Sequence, residues 1–285
     1  MPAAFTQVSD IQSPTDYIQK IYEDALFIAR ENELVSNLVT TYQGQGMAPR
    51  ISSEYSSASI AAVNDDDDLT SQSFKPTVLS TLTPSEVGAQ YLITDQRAES
   101  DPMGVRQAAA LELGAAMATK VETDLISNFG SLTGGTAGAA GSTMTWDYFF
   151  AAVSQLRAQK APAPYYAVLH PFQIHQLAKA AAVTGTINNT PDFGDQVMLN
   201  RFFTRAAGCF IFESANLEPD NSDDVTAAVF SPMALALDVR RAVRFESERD
   251  ASRRADELNV SMVYAHGVWR PKFGVKLISD ATVPS

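Results

Sequence analysis

The residues best suited to chemistry lie between positions 240 and 257, where arginines and carboxylates are closely interspersed. Arg240, Arg241, Arg244, Arg249, Arg253 and Arg254 stand against Glu246, Glu248, Asp250, Asp256 and Glu257, which leaves the stretch nearly neutral. A segment that held nucleic acid through its phosphates would be one-sidedly basic. A balanced set suits bidentate pairing instead, with planar guanidinium forks meeting carboxylates on another element or another subunit. Mixed charge also marks plain solvated helix faces, where each pair contributes only a few tenths of a kcal/mol.

Catalytic constellations are harder to assemble from this chain. His170 and His175 are five residues apart, so on one helix they do not share a face as ligands at i and i+4 do. His266 is the remaining histidine and falls in an alternating strand pattern. The run Asp65, Asp66, Asp67, Asp68 lacks the spacers, glycine turn and terminal glutamate of a calcium loop, and reads as a solvated loop tip. Gly134 to Gly141 has no following lysine and serine or threonine, so it is no P-loop, and it follows a helix pattern rather than a strand. It reads as a flexible loop. The G-x-S-x-G elbow is absent, and Cys209 sits between apolar neighbours, where a thiol is inert packing. No acid, base and nucleophile converge, so no enzyme activity, cofactor or metal is expected.

The elements around these residues can be read from spacing. Ser13, Pro14 and Asp16 open an amphipathic helix running to about Glu33, preceded by a polar arm. Residues 44 to 90 form a long Ser-, Thr- and Ala-rich segment, and Ile51–Ile60 and Ser73–Leu82 fit two strands joined near the aspartates. Such a two-stranded hairpin is marginal alone and needs a surface to lie on. A short strand is expected at Tyr91–Thr94. Asp101 and Pro102 then start a long helix to about Phe129, with Ala110, Leu113, Met117, Val121 and Leu125 on one face. Glu112, Lys120, Glu122 and Asp124 take the other face. Thr145 caps a helix to about Gln159, strands are expected at Tyr165–Leu169, Cys209–Glu213 and Ala227–Phe230, and helices at Pro171–Ala182 and Asp195–Ala206. Val260, Met262, Tyr264, His266 and Val268 line one strand face, and Phe273, Val275 and Leu277 return antiparallel after a turn at Arg270–Lys272.

Composition sets the outer bounds. The 285 residues can bury a sizeable core, and 45% hydrophobic with 19% charged content is ordinary for a folded soluble chain. A net charge of −12 argues against tight binding to nucleic acid or an anionic membrane. It permits enclosure of DNA, since an acidic inner wall keeps a genome from sticking. One cysteine excludes a disulfide framework. No signal peptide or apolar run of the roughly 20 residues needed to span a bilayer is visible, so a soluble protein made in the cytoplasm is expected.

Four strings carry a resemblance across nearly the whole chain: TDYIQKIYEDALFIARENELVSNLV, DPMGVRQAAALELGAAMATKVETDLISNFGSLTGG, YYAVLHPFQIHQLAKAA and ERDASRRADELNVSMVYAHGVWRPKFGVKLISDA. With them the chain resembles the major capsid proteins of tailed bacteriophages, of the Hong Kong 97-type fold. The resemblance implies an α+β fold with an N-terminal arm (1–43), an extended β-hairpin loop (44–90), a peripheral domain with a long spine helix (91–144 and 241–285) and an axial α/β domain (145–240). It implies a subunit that assembles with itself, as pentamers and hexamers, into an icosahedral head around double-stranded DNA. Scaffolding, portal and possible decoration proteins are the implied partners, the latter optional, and the virion the implied location after assembly in the host cytoplasm. Gly44, Gly46 and Gly88 are expected bending points, the hairpin contacts are expected at Asp65–Asp68, Phe74 and Lys75, and the charged stretch at 240–257 is expected to form ion pairs between subunits. No long fused scaffolding segment is expected before the arm, so the resemblance implies a separate scaffolding protein. Some relatives crosslink through a hairpin lysine and an asparagine; Lys75 is the only hairpin lysine, Asn259 has no support as its partner, and no crosslink is expected. Two alternatives remain open: an encapsulin-type compartment of the same fold, and a cytosolic enzyme holding a metal at Asp65–Asp68 or His170.

Overall fold

The computed structural model describes residues 34–60, 71–100, 104–183 and 205–284, with residues 62, 65 and 68 between the first two stretches. The helix expected from Ser13 to Glu33 and most of that expected from Asp195 lie outside these residues. The last two residues of the latter, Arg205–Ala206, form a short strand instead.

Two sheets and one free hairpin organise the chain. The first sheet holds β1 (Thr40–Gln43), β10 (Leu235–Asp250), β11 (Ala255–Val268) and β4 (Ser85–Thr94), in that order. Only the β1–β10 pairing is parallel. The second, six-stranded sheet runs β5 (Thr136–Thr143), β12 (Gly274–Asp280), β9 (Asp224–Phe230), β6 (Tyr165–Leu169), β8 (Cys209–Glu213) and β7 (Arg205–Ala206). The hairpin pairs β2 (Arg50–Tyr55) with β3 (Pro76–Leu82), as the pattern on either side of the aspartates predicts, though each strand is shorter. The strand expected at Tyr91–Thr94 is ten residues long and begins at Ser85.

The spine helix forms as expected, with corrections at its end and on one face. A short helix α1 (Asp95–Ser100) precedes it, and α2 (Val105–Ile126) follows Gly104; the start expected at Asp101 and Pro102 lies outside the described residues. Ala110, Leu113, Met117, Val121 and Leu125 are all buried, each large side chain contributing about 1.5–3 kcal/mol. Glu122, expected on the solvent face, is fully buried, because it stands four residues after buried Ala118 on the same stripe. This face packs on β10 and β11 through Leu235, Leu237, Val260, Met262 and Tyr264.

Two other expectations fail for reasons of strand neighbourhood. The glycine-rich tract from Gly134 is no loop: its residues from Thr136 form β5, hydrogen-bonded in parallel to β12. A Cβ at Gly134 would sit 2.6 Å from the Gly274 carbonyl oxygen, and one at Gly138, where φ is +79°, would collide with that of Ile278. The glycines there permit close backbone approach rather than bending. The return strand after Pro271 does not fold back on β11, whose edges are already taken by β10 and β4. β12 instead inserts between β5 and β9, burying Val275 and Leu277 with Phe149 and Leu156 of α3 (Trp146–Ala158). Thr145 caps α3 by accepting from the Tyr148 amide, and α4 (Pro171–Val183) follows β6, both as the spacing predicts.

Candidate assembly surfaces

The root of the hairpin is held by a buried carboxylate. Asp238, on the inner half of β10, is fully buried and accepts from Arg50 Nε at 2.8 Å and from Arg240 Nη2 at 2.7 Å. Arg240 also donates to the carbonyls of Gln45 and Ala48, both at 3.0 Å. Arg50 lies over the Tyr42 ring at 4.7 Å, and Asp238 raises its pKa. The two guanidinium groups therefore staple residues 43–50 to the first sheet. A Cβ at Gly44 would fall 2.7 Å from Arg240 Nη1, so that glycine makes room for the staple. Gly46, at φ +75° with open space around it, is a turn position. Gly88, within β4, would place a Cβ 2.7 Å from the Val260 carbonyl oxygen, so it serves strand contact.

Beyond the root, the hairpin shows an apolar stripe to solvent. Ile51, Tyr55 and Val78 are exposed, and Phe74, at 73% exposure, stacks on Tyr55 with ring centroids 4.5 Å apart. The opposite face meets the body of the chain, with Ser52 and Leu82 buried and Ser80 Oγ 3.5 Å from the Trp269 carbonyl oxygen. Lys75 is exposed, its carbonyl accepting from the Ser56 amide at 3.3 Å. Asp65 and Asp68 are exposed, while Asp66 and Asp67 lie outside the described residues.

The charged stretch becomes the outer half of a long β10–β11 ribbon and its turn, not a helix. Most of its charges pair within the chain. Arg249 meets Asp95 with a fork, at 2.5 and 2.6 Å, and Asp256, directly across the ribbon, at 3.1 Å. Arg106, near the start of α2, also pairs with Asp256, so one network joins β10, β11, α1 and the spine. The Arg249 hydrogen bond holds the Asp95 carboxyl below its ordinary pKa. Arg241 pairs with Glu86 and Arg244 with Glu246. Gln90 Nε2 donates to Glu257, which stands across the ribbon from exposed Glu248. In the turn, Asp250 accepts from the Ser252 hydroxyl and the Ser252 and Arg253 amides, which lower its pKa. Arg253 reaches Asp250 only at 3.5 Å, and Arg254 makes no ion pair among the described residues.

Two polar contacts bind the spine to its surroundings. Glu122 accepts the Val35 amide with both oxygens, at 3.0 and 2.9 Å, capping the 3-10 turn Val35–Asn37. Asp124 accepts from Tyr264 Oη at 2.6 Å and Lys120 Nζ at 2.7 Å, and His266 Nε2 stands 3.8 Å away. Burial presses the Asp124 pKa upward, but the Lys120 and Tyr264 hydrogen bonds hold it below the usual value. Burial lowers that of His266 and, with Asp124, raises that of Tyr264.

The remaining candidates for chemistry are dispersed. His170 is buried at the start of α4, where Nδ1 accepts the Phe172 amide at 3.2 Å, and burial lowers its pKa. His175 is exposed on that helix. The Cys209 thiol is pushed up to about 12 by burial, which keeps it protonated and unreactive. Among the described residues no group of three or more His, Cys, Asp or Glu is placed to hold a metal ion, and no helix is long and apolar enough to cross a membrane.

Comparison with known proteins decides what these surfaces belong to. Residues 79–277 match the family model described as phage capsid protein. The chain belongs to the phage capsid protein family. Its fold is that of solved Hong Kong 97-type shells. The capsid structure of cyanophage P-SCSP1u is 15% identical, with a TM-score of 0.72 over 88% of this chain and 89% of that one. A chain of Mycobacterium phage Che8 is 18% identical, with a TM-score of 0.73 over 86% and 90%. A virus-like particle from Pyrococcus furiosus is 11% identical, with a TM-score of 0.58 over 91% and 98%. No curated protein matches the sequence.

In this capsid subunit the contacts that sequence reading missed are those of longest range. Arg50 and Asp238 are 188 positions apart, and nothing local marks either as paired. An aspartate inside the apolar run Leu235–Val239 was the one available signal, since a carboxylate in a buried strand needs a cation. Tyr55 was passed over too, although its period-2 relation to Ile51 and Ser53 puts it on the exposed stripe.

Proposed function

We propose that the protein is the major capsid subunit of a tailed bacteriophage, assembling as pentamers and hexamers into an icosahedral head around double-stranded DNA. The observation that carries this reading is the hairpin itself: a capsid-family fold projects a stapled ribbon whose apolar stripe lies open to solvent. Exposed apolar stripes of this kind are interaction surfaces, and the surface that fits here is an adjacent copy of the same chain. The four-stranded sheet with the spine serves as the peripheral body, residues 145–240 form most of the axial part, 44–90 supply the extended loop, and 1–43 the arm. Interface strength comes from many weak contacts summed around closed rings. The net charge of −12 fits a wall that encloses DNA without adhering to it. A scaffolding protein and a portal assist assembly in the host cytoplasm, with decoration proteins as optional partners, and the subunit performs no catalysis.

The test is expression with the scaffolding partner, followed by size-exclusion chromatography and negative-stain imaging. Closed particles are expected, with DNA inside those isolated from infected cells. A discrete small oligomer with metal-dependent turnover overturns the reading, and native particles holding a protein cargo instead of DNA assign the chain to a compartment.

A further inference from the structure

The far end of the spine is tied to β11 by a contact whose donor and acceptor are fixed by their neighbours. Past α2 the chain makes a 3-10 turn, Ser127–Ser131, and leads on into β5. Within that turn Asn128 Nδ2 lies 2.6 Å from the Asp124 carbonyl oxygen, 3.3 Å from that of Leu125 and 3.0 Å from His266 Nδ1. Carbonyl oxygens only accept, so this nitrogen is the amide donor, and its second hydrogen points at the imidazole. His266 Nδ1 is therefore bare. The neutral ring carries its proton on Nε2, which faces Asp124 Oδ2 at 3.8 Å.

Protonation cannot be accommodated without breaking this tie. The added proton sits on Nδ1, against a nitrogen that has only hydrogens to offer, and the Asn128 amide cannot turn over without giving up both helix carbonyls. On the other side of the ring, the imidazolium is drawn toward Asp124, whose carboxylate already accepts from Tyr264 Oη at 2.6 Å and Lys120 Nζ at 2.7 Å. Among the described residues, the other charges on the packed elements are turned away. Glu122 of α2 is held by the Val35 amide, and Asp238 of β10, in register with Ala265, faces the opposite side of the sheet with Arg50 and Arg240. The 3-10 turn and β3 bring no charge. With its side chain 30% exposed, His266 takes a proton from solvent without unfolding. We infer that the Asn128–His266 contact is a proton-operated latch, closed near neutral pH and opened when His266 is protonated, which frees the 127–131 turn from β11. It belongs to the single chain and does not depend on the shell reading. Burial lowers the His266 pKa, so opening comes below the ordinary imidazole value of about 6.5.

Nuclear magnetic resonance of the full, unassembled chain carrying isotope-labelled histidine reads the ring directly. The chain has only 3 histidines, and His266→Gln identifies the signal. At pH 7.5 the His266 proton is expected on Nε2 with Nδ1 bare; on titration to pH 5, Nδ1 takes up a proton. Over the same range, amide exchange at Ser127–Ser131, corrected for its intrinsic pH dependence, should quicken roughly fivefold as the bond is lost. Two variants separate the latch from general loosening. Asn128→Ala should exchange at the faster rate already at pH 7.5 and show no further step, and His266→Gln should lose the step as well. A neutral His266 with its proton on Nδ1 overturns the latch. So does a His266 that stays neutral down to pH 5, or one that is protonated while exchange at 127–131 is unchanged.

Discussion

Replacing Asp238 with alanine tests whether the hairpin is aimed by its root. The carboxylate is fully buried and takes four hydrogen bonds, two from Arg50 at 2.8 and 3.3 Å and two from Arg240 at 2.7 and 3.0 Å. Removing it strands two cations. Breaking a buried ion pair from one side costs about 3–5 kcal/mol. The low end applies here, about 3 kcal/mol, because the Arg50 side chain is 30% exposed and can rehydrate. Arg240, at 9% exposure, keeps the Gln45 and Ala48 carbonyls but loses its counter-charge. At roughly 2 °C per kcal/mol for a domain of this size, the unassembled subunit should melt about 6 °C lower. The companion substitution Arg50→Met separates stability from aim. It leaves the Asp238–Arg240 pair and an apolar stem near Tyr42, so it should cost only about 1 kcal/mol. It nevertheless frees the first residue of β2 from the body, and particle yield should fall well beyond what the small loss of stability explains. Thermal unfolding by circular dichroism and particle counts by negative stain read the two effects. If Asp238→Ala melts within about 1 °C of the parent and both variants close into normal shells, the staple has no part in assembly and the reasoning fails.

Three further outcomes follow from single sites. Gly138→Ala should destabilise by about 2 kcal/mol or more, from a strained φ plus a clash with the Ile278 carbonyl, whereas Gly141→Ala, at φ +68° in open space, should cost about 1 kcal/mol; equal melting temperatures would contradict the close-approach account of β5. Glu122→Ala removes both acceptors of the Val35 amide and should cost about 1–3 kcal/mol, with faster hydrogen exchange at that amide as the specific sign. For pH, His170 and His266 both have folded pKa values lowered by burial, so the unfolded chain takes up their protons first as pH falls through about 6.5. Stability is therefore flat above that point and declines as pH drops toward the lowered values, while Asp124, held low, stays ionised until well below this window. The melting temperature should be lower at pH 5.5 than at pH 7.5, and His266→Gln should reduce that difference; an unchanged difference would mean that His266 is protonated as easily in the fold as out of it.

Local pattern was enough wherever local forces decide. The spine helix follows from the spacing of Ala110, Leu113, Met117, Val121 and Leu125, and α3 from a threonine cap ahead of an apolar stripe. The hairpin was legible because two alternating runs flank an acidic tip. What escaped depends on neighbours the sequence does not display. The glycine tract has loop composition, yet its lack of side chains is what lets β5 lie close to β12. β12 has the pattern of a hairpin partner, but a strand partner must have a free edge, and β11 has none. Glu122 is charged and sits among helix-surface residues, but a buried amide at Val35 gives it a partner. The charged stretch is visible in sequence, while the pairing of most of its charges within the chain is a property of the ribbon register, where Arg249 faces Asp256 and Arg254 is exposed.

That pairing has a physical consequence. Exposed ion pairs contribute about 0.2–1 kcal/mol each, so the network at the outer ribbon adds little to a core built from fully buried residues such as Leu113, Leu125, Tyr264 and Phe230. Its effect is geometric: Arg249, Asp95, Asp256 and Arg106 lock the two strands to both helices and so fix where the turn stands. The hairpin is the reverse case. Its stacked Tyr55–Phe74 pair and Ile51 add nothing to the core and expose apolar surface at a free-energy cost of about 25 cal/mol per Å². Folding of the single chain does not recover that cost; contact with another surface does. Residues of the stripe therefore add little to the stability of the single chain, and substitutions there should lower particle yield while sparing the melting temperature.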